Sequence, residues 1–172
     1  MTGVETKLSE NEEALIKWVK EMFAKHVKVQ AEDLEKFSRS TWILIIKSFK
    51  DTIESLDELS AWSFLFKEPD FHTPKAQKSI KRVFASMEKS VQILETIKKL
   101  FETKLEEKNF KAAKIVEVLG TYLYENRKTL KHEDVYDLLR FVLSGSHQGI
   151  PASEMCEILG KSATLERINK WI

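Results

Sequence analysis

Apolar residues recur at spacings of three and four along almost the whole of this 172-residue chain, the period of helices that bury one face. Leu15, Ile16, Val19, Met22 and Phe23 form the first stripe. Ser9 and Glu12 fit a capping box that opens this helix, which runs to about His26. A second helix is predicted from about Glu32 to Phe49, with Leu34, Phe37, Ile45, Ile46 and Phe49 inside. The run Ile43–Ile46 has strand propensity, but it sits within a longer helical pattern and has no hairpin partner. A third helix, about Thr52 to Phe66, stops before Pro69, whose ring disfavours helix in the residue before it. Thr73 and Pro74 then restart the chain as cap and first helical residue. The helix they open is the longest predicted, to about Leu105, with Ile80, Val83, Phe84, Met87, Val91, Leu94 and Phe101 on one side. Asn109 is the expected cap of the next, which carries Ile115, Val116, Leu119 and Leu123. Gly120 within it costs ~1 kcal/mol relative to Ala, a cost that close packing would explain.

A sixth helix from about His132 carries Leu138, Leu139, Val142 and Leu143 and leads into a glycine-bounded loop, Ser144 to Ile150. A further helix starts at Pro151 and ends at Gly160, and Ser162 is placed to cap one more. The glycines at 145 and 149 allow backbone conformations closed to other residues, so the loop's amides can approach a ligand closely. Without other information this is a tight helix–loop–helix connector. Trp42 and Trp62 read as core aromatics, with base stacking the lesser alternative. The pattern as a whole predicts an all-α protein.

Composition narrows this picture more than it extends it. Hydrophobic content of 42% with 32% charged residues suits a folded, soluble chain. The net charge of +1 gives no whole-molecule basicity. Its distribution is uneven: residues 67–114 carry 12 Lys and Arg against 7 Asp and Glu, while the segments on either side are slightly acidic. Lys75, Lys78, Arg82 and Lys89 recur near multiples of a helical turn and can share a face, which by itself reads as a solvated one. The single cysteine, Cys156, rules out an internal disulfide and fits a reducing compartment; among helical apolar positions it reads as a small buried hydrophobe. No apolar run approaches the ~20 residues of a membrane span. The first residues lack the features of a signal or transit peptide, so a cytoplasmic setting is expected.

Catalytic and metal chemistry find little support. Gly160-Lys161-Ser162 matches the tail of a phosphate-binding loop, but Met155 stands where the earlier glycine is needed and a helix precedes it. His26, His72, His132 and His147 are scattered, without the i,i+4 pair of a helical zinc site, so no metal is expected. Glu106-Glu107 and Glu133-Asp134 read as surface acids.

Two stretches carry a resemblance. The first runs L-R-x-x-L-S-G-x-x-x-G-x-P from Leu139 to Pro151, then E-I-L-G-K from Glu157 to Lys161, then L-x-R-I from Leu165 to Ile168. The second is L-D-E-L-S-A-W-S-F-L-F-K-E-P-D-F, from Leu56 to Phe71. In this order they resemble the C-terminal end of bacterial and organellar glutamyl-tRNA synthetases, over roughly residues 12–172. That family usually has two prolines after the second glycine, where this chain has Ile150 and Pro151. Its ATP-handling signatures, H-I-G-H-like and K-M-S-K-S-like, are absent. The resemblance therefore implies the anticodon-binding region, excised or naturally separate, and not the part that joins glutamate to tRNA.

From the resemblance follow an all-α fold of two small helical subdomains, residues 1–70 and 71–172, and a glutamate-type tRNA and the catalytic part of the synthetase as partners. ATP and magnesium would belong to that catalytic part, with no cofactor in this chain; a mitochondrial or plastid setting is the alternative to the cytoplasm. Arg140 matches the arginine that faces the anticodon, although it can equally pair with Asp137 one turn earlier. Gly149, Ile150 and Ala152 match positions lining the first anticodon base, and Lys75, Lys78, Arg82 and Lys89 become candidate phosphate contacts. The position that separates strict from relaxed tRNA choice falls near Asp51 or Thr52, and neither matches. A helical protein–protein adaptor, or a synthetase-derived paralogue without tRNA binding, is the competing reading.

Overall fold

A computed structural model describes residues 2–50 and 56–172, with side chains described over 11–48 and 59–172. Asp51 and Thr52 lie outside the described residues. Those described are helical or in turns, with no strand among them, so the all-α expectation holds. The chain divides into two compact units, Met1–Lys67 and Glu68–Ile172.

In the first unit α1 spans Thr2–Met22 and widens into a π-helical turn, Phe23–Val27, that ends where Lys28 takes a left-handed conformation. Ser9 therefore lies inside the helix, which begins seven residues before the expected cap. The single helix expected over 32–49 is two: α2, Ala31–Glu35, and α3, Arg39–Lys50. The break is a local capping event, because Ser38 Oγ accepts from the Thr41 amide at 3.2 Å and so supplies a start for α3. The turn also places Phe37 in an aromatic cluster with Trp42 and Phe66, at centroid distances of 5.8 and 5.6 Å. Phe23 joins it, 5.1 Å from Phe66, and the Trp42 indole N–H donates to Leu34 O at 3.2 Å. Trp42 is thus a core aromatic with its polar edge satisfied.

The element expected as a third α-helix is described from Leu56 to Leu65, and it is a 3-10 helix. Its buried side chains explain the choice. Leu59, Trp62 and Leu65 are spaced by three and all buried, and three residues per turn is the period that aligns them on one edge.

The second unit is built around α7, His132–Ser144, against which α4 (Pro74–Val83), α5 (Met87–Lys104), α8 (Ala152–Leu159) and α9 (Lys161–Asn169) pack. Val135, Leu138, Leu139, Phe141, Val142 and Leu143 are all buried, so α7 is enclosed on most of its circumference. Each such side chain contributes about 1.5–3 kcal/mol on burial. The expected long helix over 74–105 is interrupted: α4 is Pro74–Val83 and α5 is Met87–Lys104. Thr73 caps α4 as expected, accepting from the Ala76 amide at 3.1 Å. Ser86 opens α5 in the same way, and Ser90 Oγ donates to Val83 O at 2.7 Å, which ties the two helices across the break.

Helix α6, Ala112–Glu125, starts three residues after Asn109. Asn109 ends a short 3-10 turn, Glu107–Asn109, and its side chain accepts from the Glu106 amide instead of capping α6. The cap of α6 comes from elsewhere: Glu157, on α8 (Ala152–Leu159), accepts from the Ala112 amide at 2.8 Å. Gly120 is exposed with open space where a Cβ would stand, so close packing does not account for it.

Pro151 is the N-cap of α8, and Gly160 that of α9, Lys161–Asn169, with Ser162 inside the helix. Lys161 Nζ donates to Leu105 O at the end of α5, and Arg167 to Leu143 O at the end of α7. Both cations sit where a helix presents unpaired carbonyls. Phe71, Phe84 and Phe141 enclose Trp171 at centroid distances of 4.9 to 5.4 Å.

Candidate functional site

The loop between α7 and α8 is held from beneath by one side chain. Arg140 donates through Nε to Ile150 O at 2.9 Å, and through one terminal nitrogen to His147 O at 2.8 Å and to Asp137 Oδ1 at 3.1 Å. Its side chain is only 16% exposed, so these charge-assisted bonds form largely out of water. Asp137 carries a second cation on its other oxygen, Arg82 of α4, at 3.0 Å. The structural pairing of Arg140 with Asp137 is therefore made, and the same guanidinium also fixes the loop.

The loop begins where α7 ends. Gly145 takes φ +80°, and its amide donates to Phe141 O at 2.7 Å, the left-handed stop common at helix ends. Gly149 takes φ +136°, and a Cβ there would come within 3.3 Å of Met155 Cε. Gln148 and Gly149 are the exposed tip. Ile150 and Ala152 are not part of it. Both side chains are buried, Ala152 completely, because they belong to the packing of α8.

A second tie joins the loop to α4. Ser79, 1% exposed, has its Oγ 2.8 Å from His147 Nδ1, and the His147 amide donates to the same oxygen at 3.4 Å. Burial, together with Arg82, Arg140 and Lys78 nearby, pushes the His147 imidazole below its ordinary value, while Asp137 works against them. Nothing in the sequence linked positions 79 and 147. Ser79 sits one turn from the buried Ala76, so a small buried face on α4 was the sole available signal.

The basic residues divide. Lys75, Lys78 and Arg82 lie exposed on α4, Lys75 and Lys78 with no ion pair among the described residues. Lys89 is on α5, across the helix break, and does not continue their stripe as expected. It pairs with Asp134 at 3.0 Å and lines a groove of about 1100 Å³ between α5 and α6. Burial would raise the Asp134 carboxyl, but the Lys131 amide and the Lys89 ammonium hold it below its ordinary value.

Other candidate chemistry has a structural place. Lys161 is committed to the end of α5, so Gly160-Lys161-Ser162 does not fit a phosphate-binding loop. Cys156 is fully buried, and that burial pushes its thiol far up, which leaves it without nucleophilic character. Among the described residues no group of three or more His, Cys, Asp or Glu is arranged to hold a metal, and no helix is long and apolar enough to cross a membrane.

The family model described as "Anticodon binding domain" matches residues 13–172. The chain belongs to that family. No curated protein sequence matches this anticodon-binding domain. Among solved structures it is similar to a glutamate tRNA ligase from Elizabethkingia meningosepticum, in complex with its amino acid, with a TM-score of 0.72 at 22% identity. The match covers 93% of this chain and 28% of that one, so the anticodon-binding domain shares the fold of a little over a quarter of the ligase's length. Within that fold, the elements assembled around Arg140 are those that the domain presents as an ordered, exposed loop beside cationic side chains.

Proposed function

We propose that this anticodon-binding domain grips the anticodon end of a glutamate-type tRNA on behalf of a glutamate–tRNA ligase, whose catalytic part, with its ATP and magnesium, lies outside these 172 residues. The observation that carries the reading is the pinned loop. Arg140 fixes the carbonyls of His147 and Ile150, so Gln148 and Gly149 form an exposed tip of set shape beside Lys78 and Arg82. Unpaired RNA bases are recognised by such ordered polar groups, and the nearby lysines attract the phosphates without reading sequence. The likeness to the glutamate tRNA ligase supports glutamate as the amino acid.

Fluorescence anisotropy with a tRNA transcript bearing a glutamate anticodon, and with anticodon-substituted transcripts, tests this. The glutamate transcript should bind more tightly than the substituted ones. Changing Lys75 and Lys78 together to Ala should weaken binding to all transcripts alike and flatten the salt dependence by roughly one unit of slope per lysine. Changing Arg140 to Ala should abolish the preference while retaining the salt-sensitive attraction, because the loop loses its shape. Equal binding of all transcripts by the unmutated chain would refute the reading.

A further inference from the structure

The contact between Ser79 and His147 fixes more than the position of the loop. Ser79 Oγ accepts from the His147 amide and lies 2.8 Å from His147 Nδ1. A hydroxyl has one proton to give. If Nδ1 carried a hydrogen, Oγ would accept both bonds and its own proton would have no acceptor, in a residue that is 1% exposed. A buried donor without a partner is costly, so the arrangement that satisfies every group has the serine donating to a bare Nδ1. The imidazole is then neutral with its hydrogen on Nε2. Among the described residues that nitrogen has no hydrogen-bond partner, and it is not one of the buried unpartnered atoms, so it reaches solvent.

We propose that His147 is a base-reading residue of the site, offering its Nε2–H as a directed donor to a carbonyl oxygen or ring nitrogen of an unpaired RNA base. This rests on the tRNA-binding reading above and adds to it a residue and a polarity: the base read must present an acceptor there. The surroundings favour the neutral form. Lys78 and Arg82 face the ring from α4, and Arg140 and Asp137 from α7, so cations outnumber the single carboxylate and a second positive charge is disfavoured. The same cations draw the phosphates of a strand toward α4, which brings its bases to the loop. Gln148 and Gly149, exposed and adjacent in the chain, leave the approach open.

Imidazole 15N spectra of the full 172-residue chain at neutral pH test the tautomer, and titration with the glutamate-anticodon transcript tests the contact. A protonated Nε2 and bare Nδ1 are expected for His147, with the Nε2–H resonance shifting as RNA binds. Two variants separate reading from latching. In His147→Asn the side-chain carbonyl takes the place of Nδ1, keeping the bond to Ser79 and removing the outer donor. It should fold as before and lose about three- to tenfold in preference for the glutamate anticodon, the range of one neutral hydrogen bond. In His147→Gln the amide takes the place of Nε2, and this variant should regain part of that preference. A hydrogen on Nδ1, an Nε2–H resonance unmoved at saturating RNA, or undiminished preference in folded His147→Asn would each overturn the inference while leaving tRNA binding intact. Failure of the unmutated chain to bind the transcript would overturn both.

Discussion

At Gly145 the backbone takes φ +80°, and a Cβ there would stand 3.1 Å from the Cβ of Pro69. Conformation and space both demand glycine, so Gly145→Ala should destabilise the chain by about 1–3 kcal/mol in chemical denaturation. Gly120 is the opposite case: helical, exposed and without neighbours, so Gly120→Ala should stabilise by ~1 kcal/mol. The sequence announced the first of these through the loop punctuation, but it could not tell an idle glycine from a packed one. Arg140 shows the same limit. Its pairing with Asp137 could be read from the spacing, whereas its bonds to the His147 and Ile150 carbonyls depend on a loop path that no periodicity encodes. His147 gives a pH test. Its folded-state affinity for protons is depressed, so the unfolded chain binds the proton first as pH falls. Stability should be constant above about pH 7 and decline from near the ordinary value of about 6.5 downward, levelling once the folded form also protonates. His147→Gln should remove that part of the decline in urea titrations at successive pH values.

At the level of elements, helical character was legible throughout and helix boundaries were not. The apolar stripe of 74–105 continues through residues 84–86, yet Ser86 stops one helix and starts another because its hydroxyl offers an amide a better partner locally than the preceding turn does. Ser38 does the same in the first unit. Helix α6 shows why such choices escape a linear reading, since its first turn is satisfied by a carboxylate 45 residues away, at Glu157, which also pairs with Lys111 at 3.5 Å. Glu157→Ala should therefore cost about 1–2 kcal/mol, with the loss of amide protection in hydrogen exchange concentrated at the start of α6 and not in α8. Uniform loss across the domain would show that Glu157 acts through general packing. The 3-10 helix Leu56–Leu65 was in principle visible in the spacing of Leu59, Trp62 and Leu65, but a period of three over so short a run is hard to distinguish from 3.6.

The whole molecule consists of two units with separate cores, and the candidate site draws all its residues from the second. Within residues 68–172, α4, α5, α8 and α9 pack on α7, each with buried side chains of its own. A fragment of residues 68–172 is therefore expected to fold cooperatively, with a helical circular dichroism spectrum and a single urea transition. A spectrum lacking helix, or a transition without cooperativity, would show that the second core depends on the first.

The ring of phenylalanines around Trp171 has an optical consequence. The other indoles, Trp18, Trp42 and Trp62, all belong to the first unit, so with excitation that only indole absorbs, light from the second unit comes from Trp171 and not from its tyrosines. Its indole N–H is buried with no hydrogen-bond partner among the described residues, and Phe71, Phe84 and Phe141 border the ring, so few water dipoles can relax around the excited state. Its emission should lie to the blue of the exposed Trp18 and move to the red as α7 loses its packing. Subtracting the spectrum of Trp171→Phe would isolate that emission, letting the unfolding of the second unit be followed in the intact chain without any attached dye.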